Sequence, residues 1–398
     1  MSGWTDFDFG PTARVVFGPG RAKEVGRIAC ELEGAVALVM TDPVLYRLGM
    51  TEVVETSLAD AGVRGEIFSD VATEPTLASV EAAVSMFRDR TCDIVVAVGG
   101  GSSMDSAKAV SLLVGNGGRF HEFTEQRVGT EWKKGRRADK RGPHVITMPT
   151  TAGTGAEVTA GCGVFNPETG IKGWASGPYV RPSVAVCDPL LTVSMPPRVT
   201  ADTGFDALSQ ATEAVLTLKF NPYADALLYK AIETIGASLP KAFANGANLE
   251  ARAAMLGAAT MVGTAFPFGG LMHVHTYAEV LGDLTHLPHG RLIGLMLPYV
   301  LEWAAIGCPE KLALVGRALG ERVDGCSVSE AAGRTLAAVR RLRDETEMNE
   351  PLRTLGVTEE MLRTCAERVY AQHTPRSVGG PRAFRNQDEV MSLLRAAY

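Results

Sequence analysis

Along the first half of the chain, short apolar runs alternate with stretches whose apolar positions recur at helical spacing. Ala35-Val36-Ala37-Leu38-Val39-Met40 is one such run, closed by the turn signal Thr41-Asp42-Pro43. Residues 45–61 and 76–89 then carry apolar positions on one helical face. Asp93-Ile94-Val95-Val96-Ala97-Val98 is rich in β-branched residues and predicts a strand buried on both faces. Residues 145–148 and 184–186 predict further strands. Strand, helix, strand, helix in that order implies a parallel sheet with helices on its faces. After about residue 188 the strand-like runs stop, and Ala- and Leu-rich helical patterns take over at 203–218, 222–238, 249–266 and onward to Tyr398. Pro189, Pro196 and Pro197 cluster at the change of texture. The expected division is therefore an α/β domain over 1–190 and an all-helical domain over 191–398, with no internal repeat.

Composition narrows the class. With 398 residues, 46% hydrophobic and 21% charged, the chain has apolar content for packed cores, and a net charge of −6 argues against a basic nucleic-acid binder. No apolar run approaches the roughly 18 residues of a membrane span, and the first residues carry no basic-then-apolar leader, so a cytoplasmic protein without a membrane partner is expected. Seven cysteines lie scattered, with no Cys-x-x-Cys pair, which reads as reduced thiols and not a disulfide framework. Residues 132–141 hold Lys133, Lys134, Arg136, Arg137, Lys140 and Arg141, a charge run that predicts an exposed loop.

Chemistry gathers at four places. Gly99-Gly100-Gly101-Ser102-Ser103-Met104-Asp105 follows a predicted strand and opens a helical pattern. Glycines there let the backbone approach a ligand closely, and the helix start offers free N–H groups that suit a pyrophosphate. Pro149-Thr150-Thr151-Ala152-Gly153-Thr154-Gly155 follows the next strand, where open sheets place ligand contacts. Four of seven histidines, His273, His275, His286 and His289, fall within seventeen positions, a mark of a metal or acid–base site. Asp206 and Gln210, four apart, share one face of a predicted helix, as do His275 and Glu279.

Taken with Gly-Phe-Asp-Ala-Leu at 204–208 and Leu-Pro-His-Gly at 287–290, these motifs resemble the iron-containing (group III) alcohol dehydrogenase family over essentially the whole chain. The resemblance implies a Rossmann-like N-terminal domain and an all-α C-terminal domain, the architecture shared with dehydroquinate synthase-like proteins. It implies NAD(P)-dependent interconversion of alcohols with aldehydes or ketones, the nicotinamide lying across an interdomain cleft, and a homodimer. By motif, Gly100, Gly101, Ser102 and Asp105 belong to the pyrophosphate loop. Thr150, Thr151, Thr154 and Lys172 line the cofactor cleft, and Asp42 meets the adenosine ribose, which favours NAD over NADP. Glu74 stands where the family usually has Asn.

The metal ligands implied are Asp206, His275 and His289, with Gln210 where the family has a further His and Glu279 where another His usually stands near substrate. An amide oxygen is a harder, weaker donor than imidazole. The expected ion is Fe²⁺ or Zn²⁺, completed by Gln210 or Glu279, with His273 as a partial substitute. Glu279 or water manages the alcohol proton. Arg291 and the basic segment 133–141 suggest an anionic aldehyde. Two rival readings are a dehydroquinate synthase-like cyclase or lyase and a non-catalytic homologue with a decayed metal site.

Overall fold

The computed structural model describes residues 6–124, 126–128, 131–133, 135–167, 171–377 and 379–398. The chain separates into two compact units, Pro11–Val193 and Ser194–Tyr398 with Met1–Gly10. The N-terminal segment thus groups with the helical unit. Asp8 O accepts a hydrogen bond from Asn221 Nδ2 at 2.9 Å, and the Phe9 and Phe268 rings lie 4.6 Å apart.

In the α/β unit the strands are β1 (Arg14–Phe17), β2 (Val36–Met40), β3 (Arg64–Phe68), β4 (Ile94–Gly99), β5 (Gln126–Val128), β6 (Glu131–Lys133), β7 (His144–Pro149), β8 (Gly161–Asn166), β9 (Ile171–Ser176) and β10 (Val184–Cys187). The helices are α1 (Val25–Glu31), α2 (Pro43–Arg47), α3 (Glu52–Asp60), α4 (Leu77–Asp89) and α5 (Gly101–Asn116). Six strands form one parallel sheet in the order β1-β10-β7-β4-β2-β3, and β5-β6 and β8-β9 are separate antiparallel pairs.

Side-chain alternation explains why both faces are covered. Leu38, Met40, Val95 and Ala97 join one core with Val80, Phe87 and Met104, while Ala37, Val39, Val96 and Val98 join the other with Ile28, Val54 and Leu58. The expected parallel sheet is present. The helix expected over 45–61 is instead two, because Gly49 (φ 70°) turns the chain between α2 and α3. Strands β1 and β3 and the β8-β9 pair were not anticipated.

The helical unit contains α6 (Pro197–Leu216), α7 (Pro222–Ala244), α8 (Leu249–Gly269), α9 (His273–Thr285), α10 (His289–Ala304), α11 (Pro309–Ala318), α12 (Val328–Glu345), α13 (Glu359–Ser377) and α14 (Gln387–Ala397). Helix α6 is its axis, with nearly every residue from Thr200 to Leu216 buried. A glycine sets how closely α10 approaches it: a Cβ on Gly290 would stand 2.3 Å from Asp202 O, so only glycine permits this contact. His286 ends α9 in the left-handed region (φ 57°), and Pro288 precedes α10. The turn leads into the start of α10, which packs against α6.

Candidate functional site

From β2 the chain steps outward to β3, then returns to add β4 on the other side of β2. Open parallel sheets bind ligands outside the strand carboxyl ends at such a switch point. Strand β2 ends at Met40 and β4 at Gly99, so Asp42 and residues 99–102 flank that point. Asp42 caps α2: its Oδ1 accepts from Val44 N at 2.8 Å and Leu45 N at 3.0 Å.

The glycine turn is shaped by the loop after β7. Gly99 has φ 152°, a conformation that disfavours other residues. Its carbonyl accepts from Thr150 N at 3.0 Å. Thr151 lies 3.5 Å from where a Gly100 Cβ would stand, and Thr154 Cγ2 only 2.9 Å from a Gly101 Cβ. Gly100 offers α5 no capping side chain, so the first-turn N–H groups remain available to an anion. Ser102 Oγ donates to Thr73 O at 2.5 Å. Lys172 Nζ stands 3.6 Å from Glu74 Oε1 and 5.7 Å above the Trp174 ring. Asp105 turns inward: Oδ1 pairs with buried Lys108 Nζ at 2.8 Å and Oδ2 accepts from Gly163 N at 3.0 Å. Its carboxylate fastens α5 to β8.

The second cluster lies wholly in the helical unit. Asp206 on α6, His275 on α9 and His289 at the start of α10 each offer a donor atom, all within 4.8 Å of one another. His275 Nε2 is 3.5 Å and His289 Nε2 4.0 Å from Asp206 Oδ1. Metal–ligand bonds of about 2.1 Å at tetrahedral angles separate donors by about 3.4 Å, so the spacing suits an ion better than direct hydrogen bonds. Among the described residues, the buried His275 Nε2 has no hydrogen-bond partner.

Gln210, one turn after Asp206, donates from Nε2 to Asp206 Oδ1 at 3.1 Å, while its buried Oε1 has no partner among the described residues. Asp206 thereby fixes which end of the amide is left over, and that end is an acceptor. An unpartnered imidazole nitrogen and an unpartnered carbonyl beside a carboxylate fit a divalent cation. Asp206 and His275 are buried, whereas His289 is 44% exposed and forms the open side. Glu279 lies half-buried on α9, one turn beyond His275.

One partner escaped the sequence reading. Glu213, fully buried on α6, accepts from His275 Nδ1 through Oε2 in a short hydrogen bond and from Val274 N through Oε1 at 2.7 Å. Its signal was available as Asp206, Gln210, Glu213, positions spaced for one helical face. Burial alone would depress the His275 pKa, but Glu213 and then Asp206 outweigh it and raise it to about 9.

Two expectations are corrected. His273 does not face the cluster; its ring packs 4.5 Å from Phe384 and 5.2 Å from Trp303. Two residues along a helix point away from each other. Arg291 is not offered to a ligand: its buried guanidinium lies 2.8 Å from Asp202 Oδ1 and 3.4 Å from Glu350 Oε2. In the basic segment, Arg136 pairs with Asp139 at 3.0 Å and Arg141 donates to Arg181 O at 3.1 Å. Lys134 and the side chains of Trp132 and Lys133 lie outside the described residues.

Both halves match family models: residues 11–189 the iron-containing alcohol dehydrogenase model, and residues 200–398 the Fe-containing alcohol dehydrogenase family C-terminal model. An NAD-dependent methanol dehydrogenase of Bacillus methanolicus is 34% identical over 388 residues, 98% of this chain and 99% of its own. The crystal structure of a 1,3-propanediol oxidoreductase, 34% identical, superposes with TM-score 0.92 over 99% of this chain and 100% of that one. A sulfoacetaldehyde reductase of Bifidobacterium kashiwanohense, solved with NAD⁺, is 27% identical with TM-score 0.87 over 99% of both chains.

Proposed function

This chain belongs to the iron-containing alcohol dehydrogenase family, and on that premise we propose which of its residues carry the reaction. The enzyme exchanges hydride between NAD and an alcohol or aldehyde. The relatives are dehydrogenases and reductases, so the cyclase reading is set aside.

Residues 100–102 bind the pyrophosphate through the uncapped first turn of α5, and Asp42 accepts hydrogen bonds from the adenosine ribose hydroxyls. A carboxylate there repels a 2′-phosphate, which is the basis for NAD over NADP. Thr150, Thr151, Thr154 and Lys172 line the same site. Asp105 contributes by fixing α5. Asp206, His275, His289 and the Gln210 carbonyl hold a divalent metal, Fe²⁺ or Zn²⁺. When bound, the ion supplies Lewis-acid polarisation of the carbonyl and the nicotinamide supplies or accepts the hydride. Glu279, one helical turn from His275, takes or returns the hydroxyl proton at its carboxylate oxygen.

The convergence of Asp206, His275 and His289 donor atoms within 4.8 Å carries this reading. The test is NADH oxidation by a panel of neutral and anionic aldehydes, before and after chelation and with Fe²⁺ or Zn²⁺ restored. Turnover should vanish on chelation and return with metal, while NADH binding stays intact. His275→Ala and His289→Ala should abolish turnover. Activity that survives chelation and both substitutions refutes the assignment. Because Arg291 is already paired by carboxylates, no advantage of anionic over neutral aldehydes is expected from it.

A further inference from the structure

We infer that Glu213 is a positioning residue for the metal centre, setting which nitrogen of His275 faces the ion; this rests on the ligand set proposed above. The starting point is a cost. A carboxylate with no exposure, on a helix buried along almost its whole length, must be paired or hydrogen-bonded to be tolerated. Both oxygens of Glu213 are committed to the first turn of α9: Oε1 to the Val274 N–H at 2.7 Å and Oε2 to His275 Nδ1.

The first contact satisfies an N–H group that a helix start leaves without a backbone partner, and fixes where α9 begins. Met272, at the cap position, supplies no side-chain cap of its own. The second contact decides the chemistry of the ring. An imidazole that donates from Nδ1 presents the lone pair of Nε2, and Nε2 is the atom 3.5 Å from Asp206 Oδ1 with no hydrogen-bond partner among the described residues. Carboxylates behind metal-bound histidines fix the tautomer, hold the ring plane and raise ligand basicity. Asp206, Gln210 and Glu213 therefore act from one face of α6: two meet the ion directly, and the third aims a ligand that belongs to another helix.

A role in capping alone predicts something different. In that case Glu213→Gln, which keeps the size and one acceptor, would lower the melting temperature and leave metal affinity unchanged. The proposal instead predicts a loss of Zn²⁺ affinity of about 10- to 100-fold, read by competition with a chromophoric chelator on protein shown to be folded by near-ultraviolet circular dichroism. In a His275→Ala background the same substitution should change affinity less than about two-fold, since the ring it acts through is gone. An equal loss in that background, or none in the wild-type background, overturns the proposal.

Should Glu213→Gln fail to fold, nitrogen NMR of the zinc-loaded wild type decides. His275 must carry its proton on Nδ1; a proton on Nε2 overturns the assignment. The ligand set beneath it fails separately, if His275→Ala and His289→Ala bind Zn²⁺ as tightly as the wild type does.

Discussion

Replacing Gly101 by alanine sets two effects of opposite sign against each other. Gly101 opens α5, and by helix propensity alone alanine should stabilise the protein by up to about 1 kcal/mol. The structure opposes this. The new Cβ would stand 2.9 Å from Thr154 Cγ2 and 3.2 Å from Thr154 Oγ1. Ordinary carbon–carbon contacts begin near 3.5 Å, so the overlap is about 0.6 Å. Thr154 cannot simply rotate away, because its Oγ1 accepts a hydrogen bond from Ala156 N at 3.2 Å. Overpacking of this kind costs about 1–3 kcal/mol, which exceeds the propensity gain. Relief requires the glycine turn and the 150–154 loop to separate, and those are the two segments assigned to the cofactor. NADH affinity, followed by its fluorescence on titration, should fall about tenfold or more, while metal content stays at the wild-type level. Unchanged NADH affinity with an equal or higher melting temperature would show that propensity wins and that the close approach does not shape the site.

Three further substitutions probe single links. Asp42→Asn keeps the α2 cap but removes the charge, so the preference for NADH over NADPH should shrink about tenfold in steady-state kinetics with no change in melting temperature. Gln210→His should tighten Zn²⁺ binding by about an order of magnitude in a chelator competition, because imidazole replaces a weaker carbonyl donor. Burial raises the Asp202 pKa to about 6 despite the neighbouring Arg291. Its folded value therefore lies above its unfolded one, so the stability tied to its proton is present below about pH 4 and lost as pH rises through about 6. Relative to Asp202→Asn, the wild type should lose about 3 kcal/mol across that window in urea unfolding, and parallel pH profiles would refute the linkage.

How far the chain could be read depended on whether a feature was local. Strands β2 and β4 announced themselves because they are buried on both faces and so consist almost wholly of apolar residues. Strand β1 pairs with only one neighbour, and its residues are mostly exposed, so Arg14-Val15-Val16-Phe17 carries too little pattern to stand out. Strand β3, with Arg64, Gly65 and Glu66, is masked in the same way at the other edge. The glycine turn and the Asp206, His275 and His289 set were legible as motifs. Their partners were not. Glu213 becomes meaningful only when α9 is laid against α6, and Arg291 looked available because its carboxylates, Asp202 and Glu350, are distant in sequence. His273 and His275 are near neighbours in the chain, yet one belongs to an aromatic cluster and the other to the candidate metal site. Helical geometry makes that separation, and composition cannot.

Anomalous X-ray scattering from crystals of the iron- or zinc-loaded protein tests the metal assignment most directly. One strong peak is expected in the helical unit, about 2.0–2.2 Å from Asp206 Oδ1, His275 Nε2 and His289 Nε2, with the Gln210 carbonyl turned toward it. A peak bound elsewhere, or density showing His275 Nε2 hydrogen-bonded directly to Asp206 in metal-replete, catalytically active protein, would contradict it.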